Sequence, residues 1–279
     1  QTLPGVASGT ELLSGMYVHG GIGSDNLFLL DGVPLYQVSH LAGLFSSFNT
    51  DIIDNVDFYK SGFPARYGSR MSSIVDVSTK DGDMQEYHGL FSIGLLDGRL
   101  QFEGPIVKGR TSFNVAMRRS WIDVLSVPAL AIVNGTMRDK TRLHYAFGDF
   151  NAKVTHLFAP DNKLTAAFYY GKDSFNFGFD YVGQYMYGEL IPGGEDLTDS
   201  DGIELKWGNI LASLRWQNRL TDQLTSDINA YYTKFSSGTE YHSYWWDHLG
   251  EEVFALEGAK ENGRSGISDI ALKAGFRWQ

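Results

Sequence analysis

One pattern constrains this chain more than any other: after residue 85 come long segments in which apolar and polar side chains alternate. In residues 148–155, Gly148, Phe150, Ala152 and Val154 fall on one face, and Asp149, Asn151, Lys153 and Thr155 on the other. Residues 209–217 set Ile210, Ala212, Leu214 and Trp216 against Asn209, Ser213, Arg215 and Gln217. The closing segment sets Ile270, Leu272, Ala274, Phe276 and Trp278 against Asp269, Lys273 and Arg277. A period of two belongs to a β-strand with one apolar and one polar face. Two architectures use such strands. In a soluble sandwich the polar face meets water. In a membrane barrel the apolar face meets lipid and the polar face a wet lumen. Alternation by itself leaves both open.

Connection lengths separate them. The pattern places about eight strands at 86–96, 98–106, 111–124, 143–158, 163–175, 204–219, 224–237 and 266–279. Val107–Arg110, Ala159–Asn162 and Leu220–Gln223 are short links, whereas 125–142, 176–203 and 238–265 are long ones. From Val107 on, short and long links alternate, so the short ones share one end of the strands. The turn at Asp97-Gly98 is the exception. Outer-membrane barrels have this asymmetry of short periplasmic turns and long external loops. Soluble domains rarely carry several long structureless loops. Trp216, Trp278 and Tyr170 fall near strand ends, where an interfacial aromatic girdle sits.

Composition removes other classes. The net charge of −10 opposes non-specific nucleic-acid binding. The absence of cysteine excludes disulfides, thiolate metal sites and thiol nucleophiles. No apolar run reaches the length of a transmembrane helix, which says nothing about a barrel.

Residues 1–84 read differently, with short strands and many turns. Their order is Asp31-Gly32-Val33-Pro34-Leu35-Tyr36, then Phe48-Asn49-Thr50-Asp51-Ile52-Ile53, then the stretch from Val56 to Gly68 with Lys60-Ser61-Gly62-Phe63-Pro64-Ala65-Arg66-Tyr67. Ser72-Ser73-Ile74-Val75-Asp76-Val77 and Lys80-Asp81-Gly82 follow. This series resembles the plug domain of TonB-dependent receptors of the Bacteroidetes type. Leu3-Pro4-Gly5-Val6 and Glu103-Gly104-Pro105-Ile106 are similar to the same family, so the likeness covers residues 1–124. His19 departs from it, standing before Gly20-Gly21 where such plugs usually carry Arg.

The resemblance implies a mainly β fold: an α+β plug domain at 1–84, lacking its N-terminal part, then antiparallel strands of a transmembrane β-barrel at 85–279. A closed barrel of eight strands is filled by its own side chains, and plugged barrels have about 22 strands, so about 8 of about 22 are expected here. The implied function is energised uptake across a Gram-negative outer membrane of a nutrient too large for porins: a siderophore, cobalamin, an oligosaccharide or a peptide. The implied partners are TonB of the inner-membrane energy-coupling complex, outer-membrane lipids and the nutrient ligand, with room for a surface lipoprotein. No cofactor and no enzymatic step are implied. Arg66 and Arg70 stand beside turns, and alternation puts Glu103 on the lumen side of its strand. We expect plug–barrel contacts there.

Other chemistry is poorly supported. Gly20-Gly21-x-Gly23 lacks the spacing and the following helix of a dinucleotide fingerprint. His242, Asp247 and His248 fit no standard metal template. The acidic stretch from Glu195 to Asp201 lacks calcium-loop spacing. Tyr241, His242, Tyr244, Trp245 and Trp246 are expected on an external loop as a ligand-contact surface, because Tyr and Trp combine rigid area with a polar tip. Loop self-packing is the plainer account of them. The rival functions are a soluble all-β carbohydrate-binding or adhesin module and a glycoside hydrolase. The latter needs a carboxylate pair that the sequence does not display.

Overall fold

The computed structural model describes residues 6–8, 16–18, 26–43, 45–60, 67, 73–183, 185–186, 189–190, 197–250 and 253–278. The N-terminal unit holds β1 (Val6–Ser8), β2 (Met16–Val18), β3 (Asn26–Leu30), β4 (Val33–Pro34), β5 (Ser39–His40), β6 (Phe45–Ser46), β7 (Ile53–Tyr59) and β8 (Ser73–Thr79). Its main sheet runs β4-β3-β8-β7, with β3 and β8 parallel. β3 and β8 sit centrally because Leu29, Leu30, Ile74 and Val77 bury on both of their faces. The β3–β4 hairpin turns on Asp31 (φ 51°) and Gly32 (φ 80°), the double left-handed conformation that an Asp-Gly pair favours. A 3-10 turn at Thr50–Ile52, capped by the Asn49 side chain, leads into β7.

The rest is one large antiparallel sheet. Its strands are β9 (His88–Ile93), β10 (Asp97–Val107), β11 (Thr111–Ser120), β12 (Lys140–Ala159), β13 (Asn162–Val182), β16 (Thr198–Arg219), β17 (Leu224–Gly250) and β18 (Val253–Trp278), paired in that order. A small hairpin, β14 (Tyr185–Met186) with β15 (Glu189–Leu190), interrupts the β13–β16 connection. The eight strands are those expected from alternation. Among the described residues, β9 and β18 do not pair with each other, so the sheet is open.

Three expectations need correction. Residues 125–142 are not a structureless loop, because α1 (Ile122–Thr136) occupies most of that span with Pro128 inside it. The tight turn lies at Gly94–Leu96, and Asp97-Gly98 already belongs to β10. The third concerns the other two long links. Much of 176–203 and nearly all of 238–265 is strand, so β17 runs 27 residues and β18 runs 26. About ten residues suffice to cross a bilayer, so these strands continue well past the apolar band. Ser174-Phe175-Asn176-Phe177-Gly178-Phe179 does alternate and extends β13, whereas in 238–265 apolar and polar residues follow no regular period of two, which makes an extended ribbon read as loop.

The two faces of the sheet are the reverse of a soluble protein's. The face covered by the N-terminal unit is polar and buried: Arg118 is 5% exposed, Asp149 3% and Asp173 2%. The opposite face is apolar and bare, with Ile270 at 85%, Leu272 at 72% and Trp278 at 71%.

Candidate functional site

The N-terminal unit seats on the polar face through an apolar seam and two polar clusters. In the seam, Leu30, Val33, Leu35 and Val77 pack on Tyr169, Leu211 and Tyr231 of the large sheet. Hydrogen bonds fasten its margin. Thr233 donates its hydroxyl to the Pro34 carbonyl at 2.9 Å, and Asn209 donates to the Gln37 carbonyl at 2.7 Å. Tyr36 donates its hydroxyl to Asp269. A gap near Asp31 and Lys153 measures only about 10 Å³, room for about one water at most.

The first polar cluster centres on His40 at the end of β5. Its ring lies flat on Phe147, with centroids 4.3 Å apart. Its Nδ1 is 2.7 Å from Asp173 and its Nε2 is 3.0 Å from Asp149. Arg118 donates from Nε to Asp149 at 2.8 Å and from Nη2 to the Ser46 carbonyl at 2.6 Å, so it touches both units. Tyr169 donates its hydroxyl to Asp149 at 2.9 Å. Tyr145 donates to Asp173 and accepts the Leu41 backbone N–H at 2.6 Å. Leu41 has φ 47°, a conformation that costs a residue with a side chain about 1–3 kcal/mol and persists only where neighbours hold it. The Tyr145 hydroxyl is such a neighbour.

Charge counting favours a protonated His40. Two buried carboxylates face one arginine, and an imidazolium brings the cluster to neutrality. Burial by itself lowers the pKa of His40. The hydrogen bonds to Asp149 and Asp173, with the charges of both carboxylates, outweigh it and raise the pKa above the ordinary 6.5. The sign for docking follows. The His40 contribution is fully present below the undocked value near 6.5 and is lost as pH rises through the higher docked value. Amide exchange in β5 and β6 is therefore expected to accelerate with rising pH beyond its intrinsic pH dependence, and His40→Gln should remove the excess. Equal pH dependence in both proteins would count against a protonated His40.

The second cluster surrounds Lys153 of β12. It reaches Asp31 at 3.2 Å, the Thr79 carbonyl at 2.7 Å and Asp81 at 2.9 Å. Lys163 adds a contact to Asp81 at 2.9 Å. Burial alone would raise the Asp81 pKa, but the two ammonium groups hold it below its usual range. Asp31 thus has two tasks: its backbone makes the turn, and its carboxylate binds Thr79 and Lys153.

The residues anticipated from sequence are placed as follows. Arg66 and Arg70 lie outside the described residues. Glu103 stands half-buried on the inward side of β10, opposite Asn114 and His88. Tyr241, His242, Tyr244, Trp245 and Trp246 do not share a loop. They lie on β17, paired with β18, and alternation sends Tyr241 and Trp245 to one face and His242, Tyr244 and Trp246 to the other. Arg142 approaches the His242 ring at 3.4 Å. Among the described residues, no group of three His, Asp or Glu side chains is arranged to hold a metal ion. His40, Arg118 and Asp173 were not anticipated. The available signal was an inward-facing carboxylate on each of two adjacent strands, Asp149 on β12 and Asp173 on β13.

Comparison with known proteins is consistent with this geometry at its front. Residues 1–74 match the family model described as the TonB-dependent Receptor Plug Domain. No curated protein matches the sequence. Similar solved structures include the outer membrane transporter YddB from Escherichia coli, at 12% identity and TM-score 0.42, covering 95% of this chain and 48% of that one. The siderophore receptor PirA from Acinetobacter baumannii shows 11% identity and TM-score 0.43, covering 98% and 55%. The alcaligin outer membrane receptor FauA from Bordetella pertussis shows 13% and 0.39, covering 99% and 53%. The chain spans about half the length of the solved structures it matches.

Proposed function

We propose that this chain is the plug of a TonB-dependent outer-membrane receptor followed by strands of its barrel, and that the receptor carries out energised import of a nutrient too large for porins; the match of residues 1–74 to the plug model supports the first part. The observation that carries this reading is the inverted sheet, polar where the plug covers it and apolar where nothing does. In water, bare Ile270, Leu272, Phe276 and Trp278 would form an aggregating patch; in lipid they are the correct surface. The same observation disfavours a soluble carbohydrate-binding or adhesin module. We assign residues 1–84 to the plug and 85–279 to the barrel.

In this reading, ligand binds the external ribbons and the top of the plug, TonB pulls on the plug, and the two polar clusters part. The ligand is carried and not transformed. Siderophore, cobalamin, oligosaccharide and peptide all suit the architecture, and the aromatic residues on β17 fit a sugar or peptide contact. Arg66, Arg70 and Glu103 are retained as further plug–barrel contacts. Extraction of the natural protein should require detergent, and its unheated form should migrate differently in gels. Growth of a deletion strain on a panel of iron sources, cobalamin, glycans and peptides should fail on one nutrient, and loss of TonB should fail on the same one. Purification without detergent would sink the proposal.

A further inference from the structure

The outward face of β13, β16, β17 and β18 changes character along its length. Its apolar part includes Phe168, Leu214, Tyr232 and Ile270, and at its upper margin Tyr170 and Ile210 stand side by side. In register with that pair is Lys234. One row higher, away from the short turns, Lys172 aligns with Gly208 and Ser236. In the row above that, Lys206 and Arg264 flank Gly238. Four cations thus crowd one outward patch of a chain whose net charge is −10.

The floor between them is small. Gly208, Ser236 and Gly238 leave a hollow of about 400 Å³, which Lys172, Lys206, Lys234 and Arg264 rim. Lys206 is paired with Glu204 at 2.5 Å. Among the described residues, no acid forms an ion pair with Lys172, Lys234 or Arg264. Three cations without an ion pair among the described residues therefore rim a concave space, below the row of Glu204 and Glu240 and directly above an apolar band.

We propose that this hollow binds the headgroup of an outer-leaflet glycolipid carrying more than one phosphate, with its acyl chains lying on the apolar band below. The inference rests on the membrane-barrel reading above. The end of the sheet opposite the short turns is the external end, so the hollow lies at the outer leaflet. Its cations spread over four strands, roughly 14 Å at the usual strand spacing, which exceeds one phosphodiester and suits two phosphates on a compact sugar core. Arg264 offers a fork to phosphate oxygens, and the lysines act as mobile point charges.

The test uses the receptor purified in detergent, stripped of lipid and examined by native mass spectrometry. Bisphosphorylated lipid A, its monophosphorylated form, phosphatidylglycerol and inorganic phosphate are added in turn. Bisphosphorylated lipid A should be retained at about tenfold lower concentration than the other two lipids. Combined Lys172→Ala, Lys234→Ala and Arg264→Ala should abolish that preference, while Arg219→Ala at the short-turn end keeps it. Equal retention of all three lipids, an unchanged preference in the triple variant, or displacement of lipid by inorganic phosphate at low concentration would overturn the proposal. Heat-modifiable migration of the triple variant shows that it has folded. A heat-modifiable barrel without lipid preference refutes this site alone, whereas a protein that needs no detergent refutes the barrel reading beneath it.

Discussion

Replacing Asp149 by Ala is expected to loosen the plug more than any other single substitution in the interface. Asp149 accepts from Arg118, His40 and Tyr169, all behind the plug and out of water. Removing it leaves Arg118, 5% exposed, and a protonated His40 without their shared counter-charge. Breaking a buried pair by deleting one partner costs about 3–5 kcal/mol, far more than the pair contributes when compared with an apolar replacement. The Ala variant should show rapid amide exchange across β5 and β6 and admit large antibiotics to the cell. Asp149→Asn keeps an acceptor and should fall between it and the natural protein. Exchange and antibiotic sensitivity unchanged in the Ala variant would show that docking does not depend on this cluster.

Leu272→Arg is the second large effect, and its size depends on the solvent facing β18. Leu272 is 72% exposed near the middle of the apolar band. On a soluble domain, an exposed Leu→Arg change would stay within about 0.5 kcal/mol. At a bilayer midplane an outward arginine costs about 2–4 kcal/mol. Refolding the receptor into phospholipid vesicles, followed by heat-modifiable migration, should show a marked loss of folded barrel. Lys273→Arg, one residue away on the inward face, should fold normally. Normal folding of both would contradict a lipid-facing β18.

These two residues also show what the sequence can and cannot convey. Leu272 was legible: a period of two assigns it to the apolar face, and the link lengths say which end of the strand is which. Asp149 was only half legible. Alternation sets it on the polar face beside Asn151 and Lys153, but no local pattern says that His40, 109 residues earlier, lies against it. Such a pairing depends on how the plug seats, and that is fixed by the packing of Leu30, Val33 and Leu35 on Tyr169 and Leu211. The Asp31-Gly32 hairpin could be read because its chemistry is local. Helix α1 could not, because its 15 residues carry Pro128 in their interior and bury no side chain. The ribbon formed by β17 and β18 was missed for a related reason. Where neither face is covered, nothing forces alternation, and a long strand looks like a loop.

The open edges of β9 and β18 bear on assembly. Each edge presents a row of backbone N–H and C=O groups that no strand among the described residues satisfies. In hydrocarbon every such group left alone costs several kcal/mol, so an exposed sheet edge does not persist there. In the membrane reading proposed above, the eight described strands therefore meet hydrocarbon only with β9 and β18 both paired.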